Sequence, residues 1–365
     1  MTDLRLTTRE IVKDGARLFH SLRWSYGIVI CPYCGSIRIV GRGNYQYRCQ
    51  DCKNRFSDKT RTLLHGSKLS VEIWMLGIYE ILHNNFISSI SLGKKLGINQ
   101  KSAWLMMSKI RYVLDMEGYK LSGIIAQDEM YIGGCLSNYH YGRKLELLRR
   151  RGYLEEDNRK YTKSAIYALN SELKQPVFGM NDGEKVVLYA TPNPIKKEYI
   201  QEIYRKHVAG DSIVVADESK LYNGWKGDIY LNNHKNNQYK TKEGYTSNRI
   251  ENTFSWYKRG FYSRITHCKY HQLYLNEWCF RYNTRSLKEY ERFRMVIGCN
   301  KEVTYEDIKR YNSLSAFGIK HQSNRRHIYT LSEIFSMFNS FTSSIKVGGK
   351  TYTREDLAEW MRRNK

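Results

Sequence analysis

Proline is nearly absent from this chain, with 4 residues in 365. Low-complexity tracts are missing as well. Both absences exclude a Pro-rich or compositionally disordered protein and favour a mostly folded one. No run of about 18 apolar residues occurs, which excludes a membrane-spanning helix. The opening segment MTDLRLTTREIVKDG lacks the apolar stretch of a secretory signal. The expected location is therefore the cytoplasm, at the nucleoid if the cell is prokaryotic. Acidic residues are in short supply, 36 Asp+Glu against 60 Lys+Arg, giving a net charge of +24. A surplus of this size points to a polyanionic partner, with nucleic acid in the lead.

Cysteine is sparse but concentrated. Cys31-Pro-Tyr-Cys34 and Cys49-Gln-Asp-Cys52 form two CxxC knuckles separated by the basic, strand-like stretch IRIVGRGNYQYR. Four thiolates in two tight pairs suit one tetrahedral Zn²⁺, and a closed Cys₄ set is structural. The spacing predicts a zinc ribbon over about 28–58. Cys135, Cys268, Cys279 and Cys299 have no paired spacing and read as reduced thiols.

Residues 3–25 read as a short amphipathic helix with a basic face. Residues 70–83, SVEIWMLGIYEILH, have helical apolar spacing behind a Ser N-cap. A helix-turn-helix follows: one helix from Ser88 to Leu96, a stop at Gly97, a turn out at Asn99, and a second helix from Lys101 to Tyr112. Ala103, Leu105, Met106 and Ile110 would pack inward. Lys101, Ser102, Trp104 and Lys109 are the candidates to face a DNA major groove. From about 122 short apolar runs read as strands: 123–127, 164–169, 176–180, 185–191 and 212–216, with a helix over 196–208 between the last two. The basic stretch 141–163 reads as a charged loop, either merely solvated or set against a DNA backbone. After 245 the pattern is helical again. The expected class is multidomain α+β, divided as 1–60, 61–120, 121–288 and 289–365.

Three acids stand out. Asp128 follows the strand GIIAQ, Asp217 follows SIVVA, and Glu251 lies in TSNRIENTFSWYKRGFY, in the first turn of a helix capped by Ser247 or Asn248. Acids at strand ends are where open α/β sheets present chemistry. Three convergent carboxylates would repel one another unless divalent cations neutralise them. Two Mg²⁺, with Mn²⁺ as a substitute, can clamp a scissile phosphate. Lys258 stands two helical turns after Glu251 on the same face, and Arg259 follows it; both are candidates to hold a DNA backbone. Each acid taken singly also reads as a surface carboxylate, and Glu251 with Asn248 as a capping box.

CPYCGS…RCQDCKNRFS, KSAWLMMSKIR, DEMYIGG and SNRIENTFSWYKRGFYSRITHCKYHQLYLNEWCFRYNTR together resemble the prokaryotic insertion-sequence DDE transposases with an amino-terminal zinc ribbon, the ISXO2-like group related to the eukaryotic Merlin elements. The resemblance runs from about 28 to about 285. It implies an RNase H-like α/β core after the ribbon and helix-turn-helix, with Asp128 on its first strand, Asp217 after its fourth and Glu251 on the next helix. It implies Mg²⁺-dependent cleavage at inverted-repeat ends, transfer of the 3′-hydroxyl to target DNA, and a homodimer or higher oligomer on double-stranded DNA. His234 falls where the group has a histidine. Glu218 and Asn252 are the neighbouring rivals of Asp217 and Glu251, while Glu129, next to Asp128, is expected on the opposite face if the strand continues. A DNA-binding regulator derived from such an enzyme, and a nuclease without strand transfer, are the alternatives. The tail, 289–365, is expected to add a small module: a strand-like piece, then a helix capped by Thr353.

Overall fold

The computed structural model describes residues 8–24, 27–133, 136, 139–155, 160–217, 222, 229–232, 244–265, 268, 270–298, 301–313, 344–347 and 350–353. The chain divides into two compact units, one of residues 1–114, 286–308 and 320–365, the other of 115–285 and 309–319. In chain order the first unit opens with α1 (Thr8–Arg23), β1 (Ile39–Gly41), β2 (Gln46–Cys49), β3 (Arg55–Ser57), α2 (Val71–His83), α3 (Ser89–Leu96) and α4 (Gln100–Val113). The second contains β4 (Ile124–Ile132), α5 (Tyr141–Arg150), α6 (Lys163–Leu173), β5 (Gln175–Asn181), β6 (Val186–Ala190), α7 (Lys197–His207), β7 (Ile213–Asp217), β8 (Ile229–Asn232), α8 (Asn248–Tyr262) and α9 (His271–Asn283). Then come α10 (Glu289–Gly298), α11 (Tyr305–Ser313), β9 (Ser344–Val347) and β10 (Lys350–Thr353). This mixture of helices and sheets fits the expected α+β class. Among the described residues no helix is long and apolar enough to cross a membrane.

In the first unit, β1, β2 and β3 form a small antiparallel sheet. The helices beyond it stop and start where local chemistry dictates. Ser70, Ser88 and Asn99 each accept a backbone N–H at a helix start, and Gly97 closes α3 in the left-handed conformation at φ +65°. A side chain at Gly77 would collide with Met106 Sδ, so α2 and α4 cross where one of them has none. The core includes Phe19, Leu22, Met75, Ile78, Phe86, Leu92, Met106 and Ile110, all essentially sealed from solvent. Helix α10 joins this unit: Arg292 donates to the Leu82 carbonyl at 3.1 Å, and His83 meets Glu289 at 3.0 Å.

The second unit is built on a five-stranded sheet in the order β6-β5-β4-β7-β8. β5 is antiparallel to β4 and β6 to β5, while β7 runs parallel to β4 and β8 to β7. Two expectations change here. Residues 164–169 are not a strand but part of α6. Thr162 Oγ1 accepts the Ala165 N–H at its start, and Ile166, Leu169 and Leu173 recur at helical spacing. The stretch 141–163 is not simply a loop either, because it contains α5, whose Leu145 and Leu148 turn inward. The expected helix after Thr353 lies outside the described residues.

β6 is an edge strand, and its outward backbone groups are met by side chains of α9. Asn283 accepts the Val186 N–H at 2.7 Å and donates to the Val186 carbonyl at 2.8 Å. Gln272 accepts the Ala190 N–H at 2.8 Å and donates to the Leu188 carbonyl at 3.1 Å. Two amides thus imitate a further strand, which satisfies the edge and blocks its pairing with other chains.

Candidate functional site

The four thiols of Cys31, Cys34, Cys49 and Cys52 converge in the small sheet of the first unit, every Sγ within 4.8 Å of the others. Cys31 and Cys52 are 3.5 Å apart, Cys34 and Cys49 3.6 Å. A tetrahedral zinc with Zn–S bonds of about 2.3 Å sets its sulfurs about 3.8 Å apart, so these residues fit such an ion. Each knuckle is a tight turn: the Gly35 N–H reaches the Cys31 carbonyl at 2.9 Å, and the Cys49 N–H reaches Asn54 O at 3.0 Å. Burial raises the Cys31 and Cys34 thiols. Burial also acts upward on Cys52, but hydrogen bonds from the Asn54 backbone and side-chain N–H groups and from its sister thiols bring it down to about 7. Arg61 pins the first knuckle by donating to the Pro32 carbonyl at 2.7 Å and lying over the Tyr33 ring. The sheet is tied to α1 through buried Asp58, which accepts from Trp24 Nε1 at 2.8 Å and meets His20 Nδ1 at 2.9 Å.

The four helix-turn-helix candidates separate. Lys101 is exposed at the start of α4, and Ser102 is half-buried with its N–H held by Asn99 Oδ1 at 2.8 Å. Trp104 is half-buried and packs edge-on against Tyr305 at 6.2 Å. Lys109 is only 9% exposed, and burial lowers its pKa against the opposing pull of Glu302 and Asp307. Lys109 therefore leaves the outward-facing set: Glu302, just before α11, and Asp307 on α11 are neighbours that local periodicity could not foresee.

In the second unit Asp128 sits in the middle of β4 rather than after a strand, because β4 continues to Ile132. Its Cα partner on β5 is Gly179. A Cβ on Gly179 would stand 2.6 Å from Phe254 of α8, so the missing side chain lets α8 close on the sheet over the face that carries Asp128. Glu251, Phe254 and Lys258 recur at positions i, i+3 and i+7 of α8, one stripe along that face. Glu251 is exposed and accepts from Ser247 Oγ at 2.9 Å, and Ser247 makes no side-chain cap. The capping-box alternative for Glu251 is thereby replaced by a side chain–side chain contact. Burial lowers the Lys258 pKa, the charge of Asp128 acts upward on it, and Lys174 acts downward. Arg259 is exposed on the outer side of α8.

Asp217 is the last residue of β7. The parallel register pairs Ala126 with Val215, so Asp128 and Asp217 each lie two residues beyond that pair, level on adjacent strands. Glu129 belongs to the opposite face. There it accepts a hydrogen bond from the buried Tyr222 hydroxyl, beside Gln127, which accepts from Tyr204 of α7 at 2.5 Å. Glu218 and His234 lie outside the described residues. Sequence reasoning missed Lys174, Gly179 and Phe254. A glycine inside a strand pattern was the available signal for the close approach of α8.

Residues 120–283 match the ISXO2-like transposase domain family. A protein of Halobacterium salinarum described as "Uncharacterized protein in transposable element ISH50" is 29% identical over 185 residues, 49% of this chain and 58% of that protein. The chain thus spans a little over half the length of this curated relative. No solved structure matches the chain.

Proposed function

We propose that the chain is a DDE transposase, a reading supported by the match of residues 120–283 to the ISXO2-like transposase domain family and by the likeness to a protein of a transposable element. It binds the terminal inverted repeats of its element, cleaves the DNA at their ends, and joins the freed 3′-hydroxyls to target DNA. Asp128, Asp217 and Glu251 are the catalytic acids of an RNase H-like core. The observation that carries this reading is the parallel register of β4 and β7, which sets Asp128 and Asp217 level, together with the closure of α8 over Gly179 on the Asp128 face. The sheet order, with three antiparallel strands and two more parallel to the first, supports the same core.

The chemistry is two in-line displacements at phosphorus. In the first, water attacks the phosphorus, the P–O3′ bond breaks, the 3′-oxygen takes up a proton and leaves as a hydroxyl, and the phosphate stays on the 5′ side. In the second, that hydroxyl attacks a target phosphodiester and the displaced target oxygen leaves. Two Mg²⁺ held by the three carboxylates would activate the attacking oxygen and stabilise the leaving one. The chain's own part is positioning and charge. Asp128 and Asp217 come from adjacent rigid strands, and the ammonium of Lys258 is a donor for a nonbridging phosphate oxygen. The four cysteines hold one structural Zn²⁺ in the ribbon, and Lys101 and Ser102 at the start of α4 enter the major groove. A homodimer or higher oligomer follows from the need to hold two ends.

Asp128→Ala tests the assignment. Cleavage of a plasmid carrying the DNA that flanks the gene should fall by about 10³-fold or more, while duplex binding persists. Cleavage that survives this change removes Asp128 from the active site. Pre-cleaved flanking DNA with free 3′-hydroxyls, Mg²⁺ and a target plasmid should yield joined product. Hydrolysis without joining would make the protein a nuclease.

A further inference from the structure

Antiparallel neighbours such as β4 and β5 can be joined by a two-residue turn. Here residues 133–174 intervene. They hold α5 and α6, which close on a small core of their own: Leu136, Leu148 and Leu169, with Tyr153 and Ile166 packed against it. The insertion leaves from the carboxyl end of β4. Because β7 is parallel to β4, that is also the end of the sheet that delivers Asp217. Residues 141–174 hold nine Lys+Arg against five Asp+Glu, a local excess of positive charge.

The charge has a direction. On α6, Lys163 and Tyr167 lie one turn apart on one side, and Lys174 directly follows the helix's last residue, where continued helical geometry would set it within about 20° of Lys163. Lys163 is exposed, and Tyr167, 79% exposed, stands furthest out of the large apolar side chains described. Neither Lys163 nor Lys174 is in an ion pair among the described residues. The lower end of the stripe meets the candidate active site. A Cβ on Gly133 would stand 3.3 Å from Lys174 Cα, and Tyr262 of α8 accepts the Gly133 N–H at 3.0 Å. Tyr262 is one turn beyond Lys258, so Lys174 extends the Glu251–Lys258–Tyr262 side of α8. From Lys163 to Lys174 the stripe covers about 16 Å. The phosphates of one DNA strand recur every 3.4 Å or so along the axis.

We propose that the Lys163–Tyr167–Lys174 stripe of α6 is a docking surface for the backbone of duplex DNA leading into the Asp128 site. This rests on the reading of Asp128 as the active site. The insertion then acts as an arm: the lysines take phosphates and Tyr167 lies against sugar or base. Its own small core braces α6 within the insertion, and the close approach of Gly133 to Lys174 roots the stripe at the end of the strand that carries Asp128.

The test uses the full-length protein and a duplex taken from the DNA flanking the gene, with affinity measured against NaCl concentration. Lys163→Ala with Lys174→Ala should flatten the log–log salt slope by about 2, near 0.9 for each phosphate that is no longer neutralised. Arg at both positions should restore it. Tyr167→Ala should weaken binding with the slope unchanged, since no counterion is released there. Lys196→Ala, at the exposed N-cap of α7, is the control and should leave the slope alone. An unchanged slope in the double variant, or an equal change with Lys196→Ala, overturns the proposal. Cleavage measured on Asp128→Ala separates the two readings: an arm that fails while Asp128→Ala still abolishes cleavage leaves the active-site assignment standing.

Discussion

The thiol cluster of the first unit and the proposed carboxylate site of the second are built by opposite strategies. The four cysteines lie within 22 residues of chain, from Cys31 to Cys52, and two tight knuckles bring them together with help from short strands. The acids come from Asp128, Asp217 and Glu251, and nothing local joins them. Their arrangement depends on a parallel strand pairing and on a helix that closes over a glycine. The first kind of site can be specified by spacing. The second exists only when the whole sheet is folded, so its geometry is open to disturbance from residues that never touch substrate.

Removing the metal should have the largest effect and should fall on one side of this comparison only. Structural zinc sites are worth about 10–16 kcal/mol in small domains. Chelation, or Cys49→Ser, is therefore expected to unfold the ribbon and abolish duplex binding. Residues 115–285 should keep their thermal transition. Zinc content that does not change in Cys49→Ser would remove the thiol cluster as a metal centre.

Acid should strike the other side. His207 is buried, meeting the Tyr119 carbonyl through Nδ1 at 2.7 Å and the Tyr189 hydroxyl through Nε2 at 2.6 Å. Burial brings its pKa down to about 4, and burial does the same to His271. His271 Nδ1 has no partner among the described residues. In the unfolded chain both titrate near 6.5. Between pH 6.5 and 4 the unfolded state binds more protons, so stability is full above about 6.5 and is lost as pH falls toward 4. The loss is on the order of 3 kcal/mol for each histidine at most. Urea midpoints of the second unit at pH 7.5 and pH 5 measure it, and equal midpoints contradict the buried neutral assignment.

The smallest effect probes the closure of α8. Gly179→Ala places a methyl against Phe254 and should cost about 1–3 kcal/mol by overpacking. Because α8 also carries Glu251 and Lys258, cleavage should fall by more than the stability loss explains. Phe254→Leu in the same chain should recover part of it. If Gly179→Ala lowers the urea midpoint but spares cleavage, α8 does not set the position of Glu251.

The legible parts of the fold are those with a strong local signal. Ser70, Ser88, Gly97 and Asn99 punctuate α2, α3 and α4 close to where capping chemistry places them. Sequence misleads where local signals conflict. Residues 164–169 carry an apolar run that fits either period, and the Thr162 cap with Leu169 and Leu173 decides for the helix. β8, with four residues, is too short to stand out by its pattern. Lys109 reads as a basic recognition residue until the folded unit buries it beside Glu302 and Asp307. Asp128, Asp217 and Glu251 could be nominated from the sequence, but the level placing of Asp128 and Asp217 on adjacent strands could not.

What the sequence by itself determined is the chemistry that depends on neighbours a few residues away: the paired knuckles, the helix caps and the basic balance, with three acids nominated as candidates. Backbone geometry over a few residues is enough to fix such features. What only the tertiary structure decided is which residues share a face or an environment. The β4–β7 register sets Asp128 level with Asp217, Gly179 admits α8, two amides of α9 seal the edge of β6, and the root of α6 brings Lys174 to Lys258. Strand register and helix packing arise from burial summed over whole elements, and no short window of sequence contains that sum.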